Sequence, residues 1–314
     1  MADLAVGDEP TGDEPAGDGM AVDAGRPVQA YLAAQVEELL AQESGVRAGD
    51  GDAVHDMRVA TRRLRSALAT FRPVLRRERT DPLRDELRRL GHRLGEARDA
   101  DVSGSGLLAL LEETPEGLVI GPVRARLEGD RRAAFDAASS QLLALLDSPA
   151  WAALSARLGG LATDPPLVAQ SAGAVEDVLL PRVDRAFRRL RRAWRAARAE
   201  APGAPRDVAL HESRKDARRA RYAAEALAPV IGPAATRSAR AAEQVQEVLG
   251  QHQDLVVARA VLRRVAVDAH AAGESAFTYG LLHERAASRA SALDQRLPRV
   301  VRRATARGRH EWMR

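Results

Sequence analysis

The sequence of 314 residues has no cysteine, which excludes disulfides, thiolate metal sites and cysteine nucleophiles. No run of about 18 apolar residues exists, so no membrane span is expected. The N-terminus lacks the basic start and apolar run of a signal peptide, and a cytoplasmic location is expected. Its 48 basic and 44 acidic residues net only +4, but Asp3, Asp8, Glu9, Asp13, Glu14, Asp18 and Asp23 all fall in the first 25 residues, where no basic residue stands. The remainder holds 48 basic against 37 acidic residues, or +11, a body that attracts polyanions. Lys215 is the sole lysine. Guanidinium forks, which make up the rest of the basic charge, match phosphate and carboxylate oxygens better than ammonium groups do.

Taken in chain order, residues 1–26 repeat "GDEP" and hold almost nothing to bury, so a disordered acidic tail is expected. From Pro27 the chain turns to long Ala/Leu/Arg stretches. "VQAYLAAQVEELLAQES" sets Val28, Tyr31, Leu32, Val36 and Leu39 on one stripe at helical spacing. The Gly/Asp-rich "GVRAGDGD" precedes a basic helix, and further helices are predicted over 81–113, 122–146 and 149–160. Pro165-Pro166 cannot continue a helix and divides a first half, 27–164, from a second, 165–314. The second half is read as helices over 173–200, 207–228, 234–272 and 275–306, broken by Pro and Gly at 202–205 and 229–233. Its end, "RVVRRATARGRHEWMR", is expected to be a solvated helix end or tail. Aromatic content of 3% leaves Leu, Val and Ala to build the core, and helix packed on helix gives an all-α fold.

One basic phrase occurs twice. "HDMRVATRRLR" at 55–65 and "HESRKDARRAR" at 211–221 both place Arg three, seven, eight and ten residues after a histidine. His55, Arg58, Arg62, Arg63 and Arg65 thus answer to His211, Arg214, Arg218, Arg219 and Arg221. "LGEARDADV" at 94–102 and "LGQHQDLVV" at 249–257 form a second pair, sharing Gly95/Asp99 and Gly250/Asp254. The offsets, 156 and 155 residues, point to duplication and to two halves related by a pseudo-twofold.

At about 100° per residue, His55, Arg58, Arg62 and Arg65 form one stripe with Arg63 beside it. Met57, Leu64, Leu68 and Phe71 lie opposite. The second copy sets His211, Arg214, Arg218 and Arg221 against Ser213, Ala217, Ala220, Ala224 and Leu227, with Lys215 and Tyr222 flanking the stripe. Solvated charged faces alternate signs, whereas these stripes hold no acid through their first ten residues. Like charges one turn apart repel, so an anion is expected between them. The two histidines are read as donors to an oxyanion that titrate near 6.5. Asp99 and Asp254 are expected to be buried orienters of a stripe arginine through a bidentate pair, and Gly95 and Gly250 to allow close helix crossing. The other histidines form no metal-ligand pattern. "RAFRRLRRAWRAAR" at 185–198 is a third basic helix, with Phe187, Leu190 and Trp194 as its core stripe.

"AVHDMRVATRRLRSALATF", "LHESRKDARRARYAAEAL" and the two Leu-Gly/Asp pairs, in this order, resemble the CHAD (conserved histidine α-helical domain) family over roughly residues 27–310. The resemblance implies two four-helix-bundle-like halves around a basic central cleft that binds inorganic polyphosphate, with localisation to polyphosphate granules. It carries over to His55, Arg58, Arg62, Arg63 and Arg65, and to His211, Arg214, Lys215, Arg218, Arg219, Arg221 and Tyr222. Many relatives carry a lysine where this chain has Arg218 or Arg219, a change that keeps the charge. No Walker loop, carboxylate pair or ligand cluster for phosphoryl transfer stands in the sequence, so binding without catalysis, cofactor or metal is expected. Two alternatives remain. A nucleic-acid binder would use the same track, although only Tyr222 among the aromatics borders it for stacking. A metal phosphohydrolase would start from "HD" at 55–56, but Asp56 turns about 100° from His55.

Overall fold

The computed structural model describes residues 22–313. Among these, regular structure is helical, and extended pairing is confined to two isolated antiparallel bridges, Asp23 with Ala174 and Leu75 with Leu167. The first run of helices is α1 (Gly25–Ala41), α2 (Glu43–Arg47), α3 (Gly51–Thr70), α4 (Arg77–Glu112), α5 (Val123–Leu146) and α6 (Pro149–Thr163). The second is α7 (Val175–Val178), α8 (Leu180–Ala199), α9 (Ala204–Ile231), α10 (Pro233–Ala271) and α11 (Phe277–Ala304), closed by a 3-10 segment at Arg307–Met313.

Local chemistry starts these helices. Asp50 opens α3 by accepting from the Asp52 backbone N–H at 2.8 Å. Gly232, at φ 76, makes the left-handed turn that reverses α9 into α10, and Pro233 follows at the first helical position. The stripes read from the sequence point inward. Val28, Leu32, Val36 and Leu39 of α1 are buried, as are Met57, Leu64 and Leu68 of α3 and Phe187, Leu190 and Trp194 of α8. The inner face of α9 is small, with Ser213, Ala217, Ala220 and Ala224 all buried, so neighbouring helices approach it closely.

The main core runs without a break from α1, α3, α4 and α6 into α8, α9, α10 and α11, across the Pro165-Pro166 loop. A second cluster joins the ends of two long hairpins: Leu107, Leu110 and Leu127 of α4 and α5 meet Leu262, Val265, Tyr279 and Leu282 of α10 and α11. Between these clusters α3 packs on α9 and α4 on α10, which sets both repeated motifs around one place.

Both ends of the described chain differ from expectation. Residues 1–21 of the expected acidic tail lie outside the described residues, but its last part does not. The Ala24 N–H donates to Gly173 at 2.8 Å and its side chain is buried, and α1 begins at Gly25. The C-terminal segment is docked, not solvated: Val301, Ala304, His310 and Met313 are buried, and Trp312 Nε1 donates to Ser238 Oγ at 3.0 Å. These apolar positions were hidden among arginines in the sequence, and a partner more than 60 residues away satisfies the indole.

Candidate functional site

The packing of α3 on α9 brings Arg58, Arg62, Arg214 and Arg218 into one electrostatic field. Arg218 is pushed down to about 10, by burial first and then by the charges of Arg62, Arg214 and Arg58. Arg58 is lowered by burial, then by Arg62, with Asp99 opposing and Arg214 adding to the effect. Its Nη2 donates to Asp99 Oδ1 at 3.2 Å. The Nε atoms of Arg62 and Arg214 are buried without a hydrogen-bond partner. Such groups are costly to leave unmet.

The two glycines serve these arginines directly. A methyl group on Gly95 would sit 3.7 Å from Arg58 Nε, and one on Gly250 only 3.3 Å from Arg214 Nη2. Gly250 therefore leaves room that the Arg214 guanidinium uses, whereas at Gly95 a side-chain methyl would meet Arg58 in ordinary contact. The aspartates also depart from expectation. The Asp99 side chain is 68% exposed and pairs with Arg58 from the solvent side of α4. Asp254 is likewise open to solvent, yet the protein around it raises its carboxyl above the ordinary range, through desolvation first, with Arg214 opposing and Asp99 repelling. The four guanidiniums keep most of their charge uncompensated.

Both histidines flank this cluster and both are lowered from 6.5. For His55 the cause is burial, then Arg98 and Arg62. For His211 it is burial, then Lys215, while Gln253 opposes. The His211 Nδ1–H donates to Gln253 Oε1 at 3.2 Å, so Nε2 becomes a donor only on protonation. The expected titration near 6.5 moves lower because burial, and then the neighbouring cations, disfavour the charged rings.

The remaining residues of the expected site also have partners of their own, while Lys215 acts on His211 and Tyr222 on Arg218. Tyr222 is buried, with Arg63 Cζ 5.7 Å and Arg221 Cζ 5.6 Å from its ring centroid. Both arginines also reach Glu225, at 3.4 Å and 2.6 Å, and Arg221 reaches Glu243 at 2.9 Å. Tyr222 thus belongs to a closed pairing of cations and acids and is not a free stacking platform. Lys215 pairs with Glu212, and Arg219 with Asp216 at 2.6 Å. Arg65 turns instead to α4, where burial and then Arg88 and Arg84 lower it.

Sequence reasoning missed Glu225, Gln253 and Arg98. Glu225 stands one turn beyond Arg221, the only signal available for it. Gln253 and Arg98 occupy the position before Asp254 and Asp99, so the second repeated motif did point to them. Among the described residues no group of three or more His, Asp or Glu side chains is placed to hold a metal, and no helix is long and apolar enough to cross a membrane.

An all-helical body in which two copies of a His/Arg helix converge beside two Leu-Gly/Asp helices defines the class. The family model for the CHAD domain matches residues 30–263, and the chain belongs to the CHAD-domain family. Two Mycobacterium tuberculosis proteins, MT2285 of strain CDC 1551 and Rv2226 of strain H37Rv, are each 36% identical over 280 residues. The match takes in 88% of this chain and 53% of theirs, so the chain spans about half the length of these relatives. The crystal structure of the CHAD domain from the plant Ricinus communis is 29% identical, with a TM-score of 0.67 over 90% of this chain and 94% of that one. PptA from Streptomyces chartreusis, 24% identical, shares the fold with a TM-score of 0.73 over 89% and 99% of the two chains.

Proposed function

We propose that this protein binds inorganic polyphosphate across α3 and α9 without turning it over, and that this binding brings it to polyphosphate granules where these form. The observation that carries the reading is the convergence of Arg58, Arg62, Arg214 and Arg218 where α3 packs on α9; burial first, and then these charges, lower Arg218 to about 10. A linear polyanion needs a track of cations more than a closed pocket, and two helices contribute to this one. The enclosure of Tyr222 between Arg63 and Arg221 removes the one aromatic beside the stripes that base stacking would use. Nucleic acid is therefore the weaker ligand in this reading.

The test is a titration of long-chain polyphosphate, single-stranded DNA and RNA at matched phosphate concentration and physiological salt. Polyphosphate is expected to bind most tightly, and Arg62→Glu with Arg218→Glu to weaken it by about a hundredfold or more, since each lost charge-assisted contact removes about 1.5–3 kcal/mol. RNA binding as tight as polyphosphate binding overturns the reading. Release of orthophosphate by the purified protein overturns its non-catalytic part.

A further inference from the structure

Helix α8 carries a cationic surface that the sequence repeat does not explain. Its apolar side is buried through Val183, Phe187, Leu190, Trp194 and Ala197. At about 100° per residue, Arg185, Arg188, Arg191, Arg192 and Arg195 share an adjoining side. Facing them, the segment Arg307–Met313 folds back, held by the His310 ring against Phe187 with centroids 4.4 Å apart. Between these walls lies an open groove of ≈ 1290 Å³, lined by the five arginines and, as its carboxylate, Asp184.

The charge in this groove is not balanced. Asp184 is taken up by Arg188 at 2.7 Å. Burial, and then the charge of Arg191, hold His310 at about 4, so its ring is neutral. Arg185, Arg192 and Arg195 form no hydrogen bond or ion pair with a described residue. Some exposed arginines elsewhere find carboxylates across helices, as Arg264 does with Asp130 at 3.4 Å and Arg157 with Glu86. Like charges one turn apart each cost a helix about 0.2–0.5 kcal/mol, and an anion relieves that repulsion. The row is long: ten residues separate Arg185 from Arg195, about 15 Å along the axis, room for several linked phosphates. On the α8–α9 seam Asp216 takes Arg189 at 3.6 Å and Arg219 at 2.6 Å, a carboxylate that interrupts the cations between the groove and the stripe.

We propose that this groove is a second condensed-phosphate site, in which a short oligophosphate segment lies along α8 and accepts from Arg185, Arg192 and Arg195. The ligand class follows the function proposed above, but the site stands on its own residues. Calorimetric titration with sodium tripolyphosphate at low salt tests it. The wild-type protein is expected to show two sites. The variant Arg185→Glu/Arg192→Glu/Arg195→Glu, altered only at exposed positions, should lose one and keep the other within about twofold, the tolerance for independent sites. Should that variant melt early, Arg192→Gln/Arg195→Gln is expected to weaken the same site. Unchanged stoichiometry and affinity in a folded α8 variant overturn the groove. The complementary variant Arg62→Glu/Arg218→Glu should keep the α8 site. If it titrates like wild type, the α3/α9 reading fails while the groove stands.

Discussion

Arg65 and Arg221 hold the same place in the repeat, yet they meet opposite surroundings. Arg65, on the last basic turn of α3, is lowered by burial and then by Arg88 and Arg84. Arg221, on the last basic turn of α9, is raised: burial works against it, but the Glu225 hydrogen bond and the charges of Glu225 and Glu243 outweigh that. Nearer the start of the repeat the helices behave alike. His55 and His211 are both lowered, and each Leu-Gly glycine faces a stripe arginine. The two copies of the basic phrase thus agree where their cations converge and diverge one turn later, where one copy gains acids that tie helices together.

That divergence can be broken by mutation. Arg221→Ala leaves Glu225 with only Arg63 and frees Glu243, and is expected to destabilise the fold by about 1–3 kcal/mol in urea denaturation. Arg65→Ala removes a cation from among cations, and should change stability by no more than about 0.5 kcal/mol while reducing polyphosphate affinity. Equal loss of stability in the two variants would mean that the last turns are not distinct.

Acidity probes the turn where the copies agree. An anion raises the pKa of a contacting histidine, so protons are taken up on binding. Affinity should be highest below the free-state values, which lie under 6.5, and fall as pH rises through the bound-state values. Each histidine contributes up to about tenfold if its pKa moves by one. His211→Gln should remove more of this proton uptake than His55→Gln, because the bond to Gln253 leaves Nε2 to face the ligand. Calorimetry in two buffers of different ionisation enthalpy measures the uptake. Without ligand the protein should lose stability as pH drops below 6.5, where the unfolded chain binds more protons than the folded one.

The smallest effect separates the two glycine slots. Gly95→Ala leaves its new methyl in ordinary contact with Arg58, and should stabilise α4 by about 0.5–1 kcal/mol with binding unchanged. Gly250→Ala crowds Arg214 at 3.3 Å, so part of that gain is lost and affinity falls as the guanidinium shifts. Thermal melts read the first effect and titrations the second.

Much of this was legible in the residues. The phase of α3 and α9 and their buried Met57, Leu64 and Ala217 follow from helical periodicity, a local property that needs no partner. The exposure of Asp99, the reach of Arg221 to Glu243 and the docking of His310 do not, because each depends on contact between segments tens to more than a hundred residues apart. Charge follows the same rule. The sequence by itself determined an all-helical chain with two histidine-led arginine stripes and a third basic helix, since residue spacing sets what shares a face. Only the tertiary structure decided which arginines remain uncompensated, because a guanidinium's partners are chosen by the helices that pack beside it, and burial there makes each unmatched charge felt by the next.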